Sequence, residues 1–255
     1  MMILYFGIGL LATIFGSLVG LGGGVVIKPV LDAIGTYDLT TIGILSSFTV
    51  FSMAVVSTGK QIKKGFKVEK NMLVIAAGSI LGGGIGNLLF SLFLKVLNNE
   101  GFATAIQGFI LAFLLILVLF KENFPKYHLK NYLGLFLVGM ILGTIASFLG
   151  VGGGPINVMV LVLLMNMDIK KSATTSILII LLSQFTKLLL IFIESRFRGL
   201  DLSMLYVMIP GGILGGFIGA HFNHKLTHKT IHKIFNIAIV ALVILNIYNV
   251  ISSLV

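Results

Sequence analysis

The sequence has no cysteine, and charged side chains make up only 10% of it. Without thiols there is no disulfide framework, no thiolate metal site and no cysteine nucleophile. Eight acids and five histidines leave little for metalloenzyme or acid–base chemistry. An ordinary globular domain carries roughly 25% charged residues. The 26 charges and 31 glycines here do not dress a soluble sphere of 255 residues. With 57% hydrophobic residues and a mean hydropathy of +1.11, the chain reads as an integral membrane protein whose apolar surface faces lipid.

No polar block interrupts the apolar segments, so a single membrane domain over 1–255 is expected. The net charge of +10 does not point to nucleic acid, because no basic stripe with interleaved aromatics occurs. Most cations sit instead in short loops between apolar segments, as the positive-inside rule requires. The start, Met1-Met2-Ile3-Leu4-Tyr5, lacks a charged n-region and reads as a membrane segment, not a cleaved signal peptide.

Apolar stretches fall near 3–34, 42–58, 71–94, 103–120, 131–165, 173–193, 203–222 and 231–251. A helix crosses the hydrocarbon core with about 20 residues, so the first and fifth stretches are too long for one straight span. Those two share a motif. Gly16-Ser17-Leu18-Val19-Gly20-Leu21-Gly22-Gly23-Gly24 answers to Ala146-Ser147-Phe148-Leu149-Gly150-Val151-Gly152-Gly153-Gly154 at an offset of 130. The same offset relates Asp38 to Asp168 and Ser46 to Ser176. It has grown to 133 where Leu81-Gly82-Gly83-Gly84-Ile85-Gly86 answers Leu214-Gly215-Gly216-Phe217-Ile218-Gly219. Three patches aligned in order identify a duplication, with repeats over 1–125 and 126–255.

If all eight stretches simply span, the repeats are parallel and the loop cations divide 10 to 7 between the two faces. If each long, glycine-broken stretch is a re-entrant hairpin, each half has three true spans and the repeats are inverted. The loops around 60–70, 121–130, 170–171 and 225–233 then share a face with 13 cations, against Lys28, Lys95, Arg196 and Arg198 on the other. The second split is what an oriented membrane protein shows. The expected fold is therefore all-α and polytopic, two inverted repeats of a re-entrant hairpin plus three transmembrane helices, with both termini outside the cytoplasm.

Three consecutive glycines permit positive φ and close backbone approach. In lipid such unwound backbone survives only inside protein or along a polar cavity. The turns at Gly22, Gly23, Gly24 and at Gly152, Gly153, Gly154 are each expected to start a short helix, from Val25 and from Pro155. Proline suits a first helical turn. Each short helix then aims its N-terminal amides and positive dipole at the midplane, an anion site that needs no buried cation. The competing reading is small-xxx-small helix packing, which we favour for Gly82 to Gly84 and for Gly215-Gly216.

Paired G-x-G-G-G motifs in two halves of a roughly 250-residue membrane protein resemble the TauE/SafE sulfite-exporter-like permeases. The matching positions are Gly20, Gly22, Gly23 and Gly24, then Gly150, Gly152, Gly153, Gly154 and Pro155, with Pro29 at the family's first-repeat proline. Ala173-Thr174-Thr175-Ser176 is similar to a further family signature, whereas its counterpart Gly43-Ile44-Leu45-Ser46-Ser47 has drifted. The resemblance implies transport of sulfite, thiosulfate, sulfonates or related organosulfur anions.

Polar residues inside the apolar stretches extend the candidate site. Thr175 and Ser176 offer hydroxyls to substrate oxygens, or bond back to helical carbonyls. Asn157 stands on the first turn of the second short helix. Gln184 and Lys187 share a helix face. An intramembrane lysine marks a functional site by default, attracting an anion and coupling binding to protonation, although Lys187 is near enough to Glu194 to snorkel. Lys28 follows the same logic, with Asp32 four residues on as a structural partner. His224, His228 and His232 share a face, but Lys225, Lys229 and Lys233 interleave with them and disfavour a bound metal.

The leading functional reading is a secondary transporter of a small sulfur-containing anion in the plasma membrane. No Walker motif supplies ATP coupling in cis, and nothing calls for a cofactor. An anion-selective channel built on the same helix ends is the alternative. A membrane enzyme is disfavoured, since no paired acids, H-E-x-x-H or serine–histidine arrangement lies within the spans. The partners on this reading are a small anion and the bilayer, with the coupling ion (proton or sodium) and oligomeric state left open.

Overall fold

The computed structural model describes residues 1–97, 99–194, 197 and 199–254; Arg196 and Arg198, counted above, lie outside the described residues. The helices run in the order α1 (Met2–Val19), α2 (Gly24–Ile34), α3 (Leu39–Lys63), α4 (Lys70–Leu97), α5 (Glu100–Leu119), α6 (Tyr132–Leu149), α7 (Gly154–Met165), α8 (Ile169–Ile193), α9 (Leu205–Lys225) and α10 (His228–Leu254). A single 3-10 turn, Lys121–Asn123, follows α5. No strand occurs among the described residues. Eight helices are long and apolar enough to cross a membrane, whereas α2 and α7 have 11 and 12 residues and are too short. The chain is a multi-pass membrane protein.

Side-chain caps set several helix starts. Asp38 accepts from the Thr41 amide at 2.5 Å, and its counterpart Asp168 accepts from the Lys170 and Lys171 amides at 3.0 Å. Asn99 and Asn131 do the same for α5 and α6. Each cap satisfies backbone donors that the helix leaves free, worth about 1 kcal/mol.

Glycine faces decide which helices touch. Gly78, Gly82 and Gly86 of α4 meet the backbone of α6 around Phe136, Met140 and Thr144 in turn. Gly211, Gly215 and Gly219 of α9 meet α1 around Phe6, Leu10 and Ile14. Apolar burial does not drive helices together in lipid, so close backbone approach and dispersion contacts carry the association. In both pairs the two residue numbers rise together, so the helices run parallel. The same holds for α3 with α9, where Thr49 meets Gly212 and Gln61 donates to Asn223 at 3.2 Å. It holds again for α4 with α8, where Ser79 and Gly83 meet Ile179 and Ser183.

Helices α1, α3 and α9 therefore share one direction, and α4, α6 and α8 share another. Between α3 and α8 the numbers run oppositely: Gly43 faces Lys187, while Val50 and Ile180 both touch Gly152. These two helices are the most enclosed of the membrane-length eight. The short α2 joins α1 to α3, which run alike, and α7 joins α6 to α8, which do the same. Exchanging the halves maps the contacts onto one another, α1 with α9 onto α6 with α4 and α2 with α10 onto α7 with α5.

Large apolar side chains such as Leu92, Phe109, Phe113, Phe217 and Ile244 are exposed around the perimeter, where lipid would meet them. At one end, side-chain contacts tie the cation-rich connections together: Lys171 pairs with Glu69 at 2.6 Å, His228 Nδ1 lies 3.2 Å from the Asp168 carboxylate and His232 Nε2 lies 2.9 Å from that of Glu122. At the other end the Tyr37 hydroxyl donates to Asp201 at 3.4 Å, joining the 35–38 and 199–203 connections.

Candidate functional site

The two glycine turns are built alike. Gly20, Gly22 and Gly23 have φ of 79°, 81° and 72°; Gly150, Gly152 and Gly153 have 69°, 77° and 68°. An L side chain in that region costs roughly 1–2 kcal/mol per residue. Helices α2 and α7 start at Gly24 and Gly154, with Pro155 in the first turn of α7. Both turns are buried, as unwound backbone at membrane depth requires.

The turns also interlock. A Cβ on Gly24 would stand 2.7 Å from the Val151 carbonyl oxygen, and one on Gly154 would run into the backbone of Leu21. Ser176 fastens the pair: its hydroxyl donates to the Gly20 carbonyl at 2.8 Å and lies 3.3 Å from that of Gly154. The neighbouring Thr175 hydroxyl bonds back to Lys171 of its own helix at 2.9 Å, and Thr174 does the same to Lys170 at 3.2 Å.

Charge around the turns is one-sided. The first turn meets Thr13, Ala173, Ile180 and the Ser46 hydroxyl, which is buried without a partner. The second meets the Lys28 and Lys187 ammonium groups, each 3.9 Å from where a Cβ of Gly150 would be, with Gln184 beside Gly152 and Asn157 beside Gly153. Lys187 is 4% exposed, Gln184 2% and Asn157 1%. The structure thus brings the sequence-derived Gly152, Gly153, Gly154, Asn157, Gln184 and Lys187 together. Gly22, Gly23 and Gly24 lie against them across the interlock, while Thr175 points its hydroxyl elsewhere.

Hydrogen bonding separates the two lysines. Lys28 donates to the Gln107 side-chain oxygen and to the Leu149 carbonyl, and Gln107 donates to Phe148, so the pair closes the C-terminus of α6. Lys187 has no hydrogen-bond or acidic partner among the described residues. Nearby, both amide atoms of Asn157, the Gln184 side-chain oxygen, the Ser147 hydroxyl and the Asn87 amide nitrogen are buried without partners. Each such group costs about 1–3 kcal/mol until something meets it. Sequence reasoning missed Asn87 and Gln107; the available signal was an amide inside an otherwise apolar span.

Two clefts approach the turns from opposite ends. One, of about 260 Å³, is lined by Gln61, Lys170, Thr174, Asn223 and their neighbours. The other, of about 30 Å³, is lined by Ile191, Thr40, Ile44, Asn87, Phe90 and Lys187. Thr40, Ile44 and Gln61 answer Lys170, Thr174 and Ile191 at the repeat offset of 130, so the clefts occupy corresponding places in the two halves.

Membrane-length helices enclosing two short, interlocked helices define a polytopic membrane protein. The chain belongs to the sulfite exporter TauE/SafE family, whose profile matches residues 5–246. It is also 27% identical, over 70% of its length and 74% of the relative's, to the probable membrane transporter protein YunE of Bacillus subtilis (strain 168). No solved structure gives a significant match.

Proposed function

We propose that this chain is a secondary transporter that carries a small sulfur-containing anion across the plasma membrane by alternating access. The carrying observation is the second glycine turn, where buried Lys187 lacks an acidic partner among the described residues and both amide atoms of Asn157 and the side-chain oxygen of Gln184 lack hydrogen-bond partners. The anion rests on Gly152, Gly153 and Gly154 at the start of α7, where backbone amides and the helix dipole favour negative charge. Gly22, Gly23 and Gly24 back it from the first turn. Ser176 holds the turns in register, and Thr175 supports the helix beneath.

The scaffold on this reading is a single membrane domain of two inverted repeats, 1–125 and 126–255, each a re-entrant hairpin and three spans. The opposed directions of α1 and α6, taken from their parallel partners α9 and α4, support it. So does the gathering of four cation-rich connections at one end, which we assign to the cytoplasm. Unequal clefts at corresponding places support a carrier over a channel: one side is open while its counterpart is narrow.

Proteoliposomes loaded with sulfite or a sulfonate test this. Saturable flux with counter-flow is expected. Flux linear in the gradient, with single-channel currents, would establish the channel instead.

A further inference from the structure

We infer that the shared end of α3 and α9 binds an anionic phospholipid, its headgroup phosphate held by Lys60, Lys64, His221 and Lys225 and an acyl chain lying along Leu214 and Phe217. This surface site is separate from the glycine turns and from the transported ligand.

Helices α3 and α9 run parallel and end together, joined on their buried side by the hydrogen bond from Gln61 to Asn223 at 3.2 Å. On α9, Leu214, Phe217, His221 and Lys225 follow one another at helical spacing and form one column. Leu214 is 49% exposed and Phe217 55%, on the perimeter where lipid would meet them. Lys60 reaches across from α3 into this column. Its ammonium stands 3.2 Å from the centroid of the Phe217 ring and donates to the Phe217 carbonyl at 2.8 Å. Lys60, Lys64, His224 and Lys225 all lie close enough to His221 to act electrostatically on its ring. The column thus passes from apolar to basic near the ends of two membrane-length helices, where a bilayer passes from acyl chains to headgroups.

The cluster is not neutralised within the protein. Elsewhere at this end basic groups meet acids: Lys171 pairs with Glu69, and His228 and His232 face Asp168 and Glu122. Lys60, Lys64 and Lys225 have no acidic partner among the described residues. Two helix C-termini converge here, but each carries only roughly half a negative charge, so together they offset about one of the three lysines. Lysines that only solvate a loop point into water. Lys60 instead turns back onto a lipid-facing ring about two turns before the end of α9. It directs one N–H at a carbonyl and another at the ring, which leaves the third for a phosphate oxygen. A cation facing lipid is costly without a counter-ion. An anionic phospholipid supplies the counter-ion while its chain covers Leu214 and Phe217, whereas a soluble anion meets only the basic half of the column. Basic pockets between transmembrane helices hold anionic headgroups in this way.

The test uses the purified full-length chain in a neutral detergent, titrated with mixed micelles carrying phosphatidylglycerol or phosphatidylcholine with identical acyl chains. Affinity is read from retained lipid by native mass spectrometry, and stabilisation from the melting temperature. Phosphatidylglycerol should bind at least about tenfold tighter than phosphatidylcholine and raise the melting temperature. Each lysine at such a surface is worth about fivefold in binding, so Lys60→Gln and Lys225→Gln should each weaken phosphatidylglycerol by about that factor. Lys60→Arg should keep the affinity. Lys225 is exposed at a helix end, so its variant carries the test if Lys60→Gln does not fold. Lys130→Gln removes the same charge from an exposed position outside the cluster and should leave binding unchanged. Equal binding of the two lipids, or no binding of phosphatidylglycerol, would overturn the site. So would an equal loss in Lys130→Gln, which would describe diffuse attraction to net charge. Displacement of phosphatidylglycerol by inorganic phosphate at constant ionic strength would identify a soluble-anion site and overturn the lipid. Because the readout is lipid binding, none of these results bears on the transporter reading.

Discussion

Two adjacent hydroxyls, Thr175 and Ser176, look interchangeable in sequence yet do different work. Ser176 reaches out of its helix to the carbonyls of Gly20 and Gly154, so it links both turns. Thr175 returns its hydroxyl to Lys171. Ser176→Ala should therefore cost about 1 kcal/mol of stability and weaken anion flux, read by detergent melting and proteoliposome uptake. Thr175→Val should leave flux and anion affinity unchanged; a loss comparable to that of Ser176→Ala would return Thr175 to the ligand. Gly153 is stricter still. Its φ is 68°, and a Cβ there would meet Ala146 at 2.8 Å and the Asn157 side-chain oxygen at 3.3 Å. Gly153→Val should abolish uptake while a cooperative melting transition survives. Intact uptake would reduce the turn to a packing device.

Among the elements, the parallel pairs α1 with α9 and α4 with α6 form two close-packed walls on either side of the α3–α8 crossing. Both walls depend on backbone contact at glycines, so side-chain bulk there separates whole helices. Gly82→Leu should destabilise by about 1–3 kcal/mol or more without changing the ligand preferences of whatever folds, as melting and binding would show. A second inter-element tie is titratable. The Asp201 carboxyl is held below its usual range, first by the Ser203 backbone amide, and it also accepts from Tyr37. A carboxyl with a lowered folded pKa contributes stability above its unfolded value of about 3.9 and loses it as pH falls through the lower folded value. Melting temperature should drop through that window, and Asp201→Asn should flatten the drop. An unchanged slope would show that the tie is inert.

At the scale of the molecule, much of the layout was legible because lipid imposes simple length and polarity rules. The apolar stretches 3–34 and 131–165 became α1 with α2 and α6 with α7, each broken at its glycine triplet. The glycines at 82–84 and 215–216, read as packing surfaces, lie where helices touch. What could not be read was distance across the chain. Lys28 closes the end of α6 from 121 residues away, and no local spacing announces that, so its charge looked as available as that of Lys187. Asn87 and Gln107 were hidden for the same reason: an amide in an apolar span is only a candidate until its neighbours are known. Topology remains directly measurable in this cysteine-free chain. Single cysteines at Lys64 and Lys229 should react with an impermeant thiol reagent from the same face, and reaction from opposite faces would restore eight parallel-repeat spans.

The central claim, an anion carrier whose two clefts open in turn around one site, is tested most directly by paired cysteine accessibility. Thr174→Cys reports the wide cleft and Ile44→Cys the narrow one. In membranes without substrate, the cysteine at position 174 should react readily and that at position 44 slowly. Addition of a transported anion should slow the first and speed the second together. Fast labelling of both at once, unaffected by the anion, would contradict alternating access and describe a continuous pore.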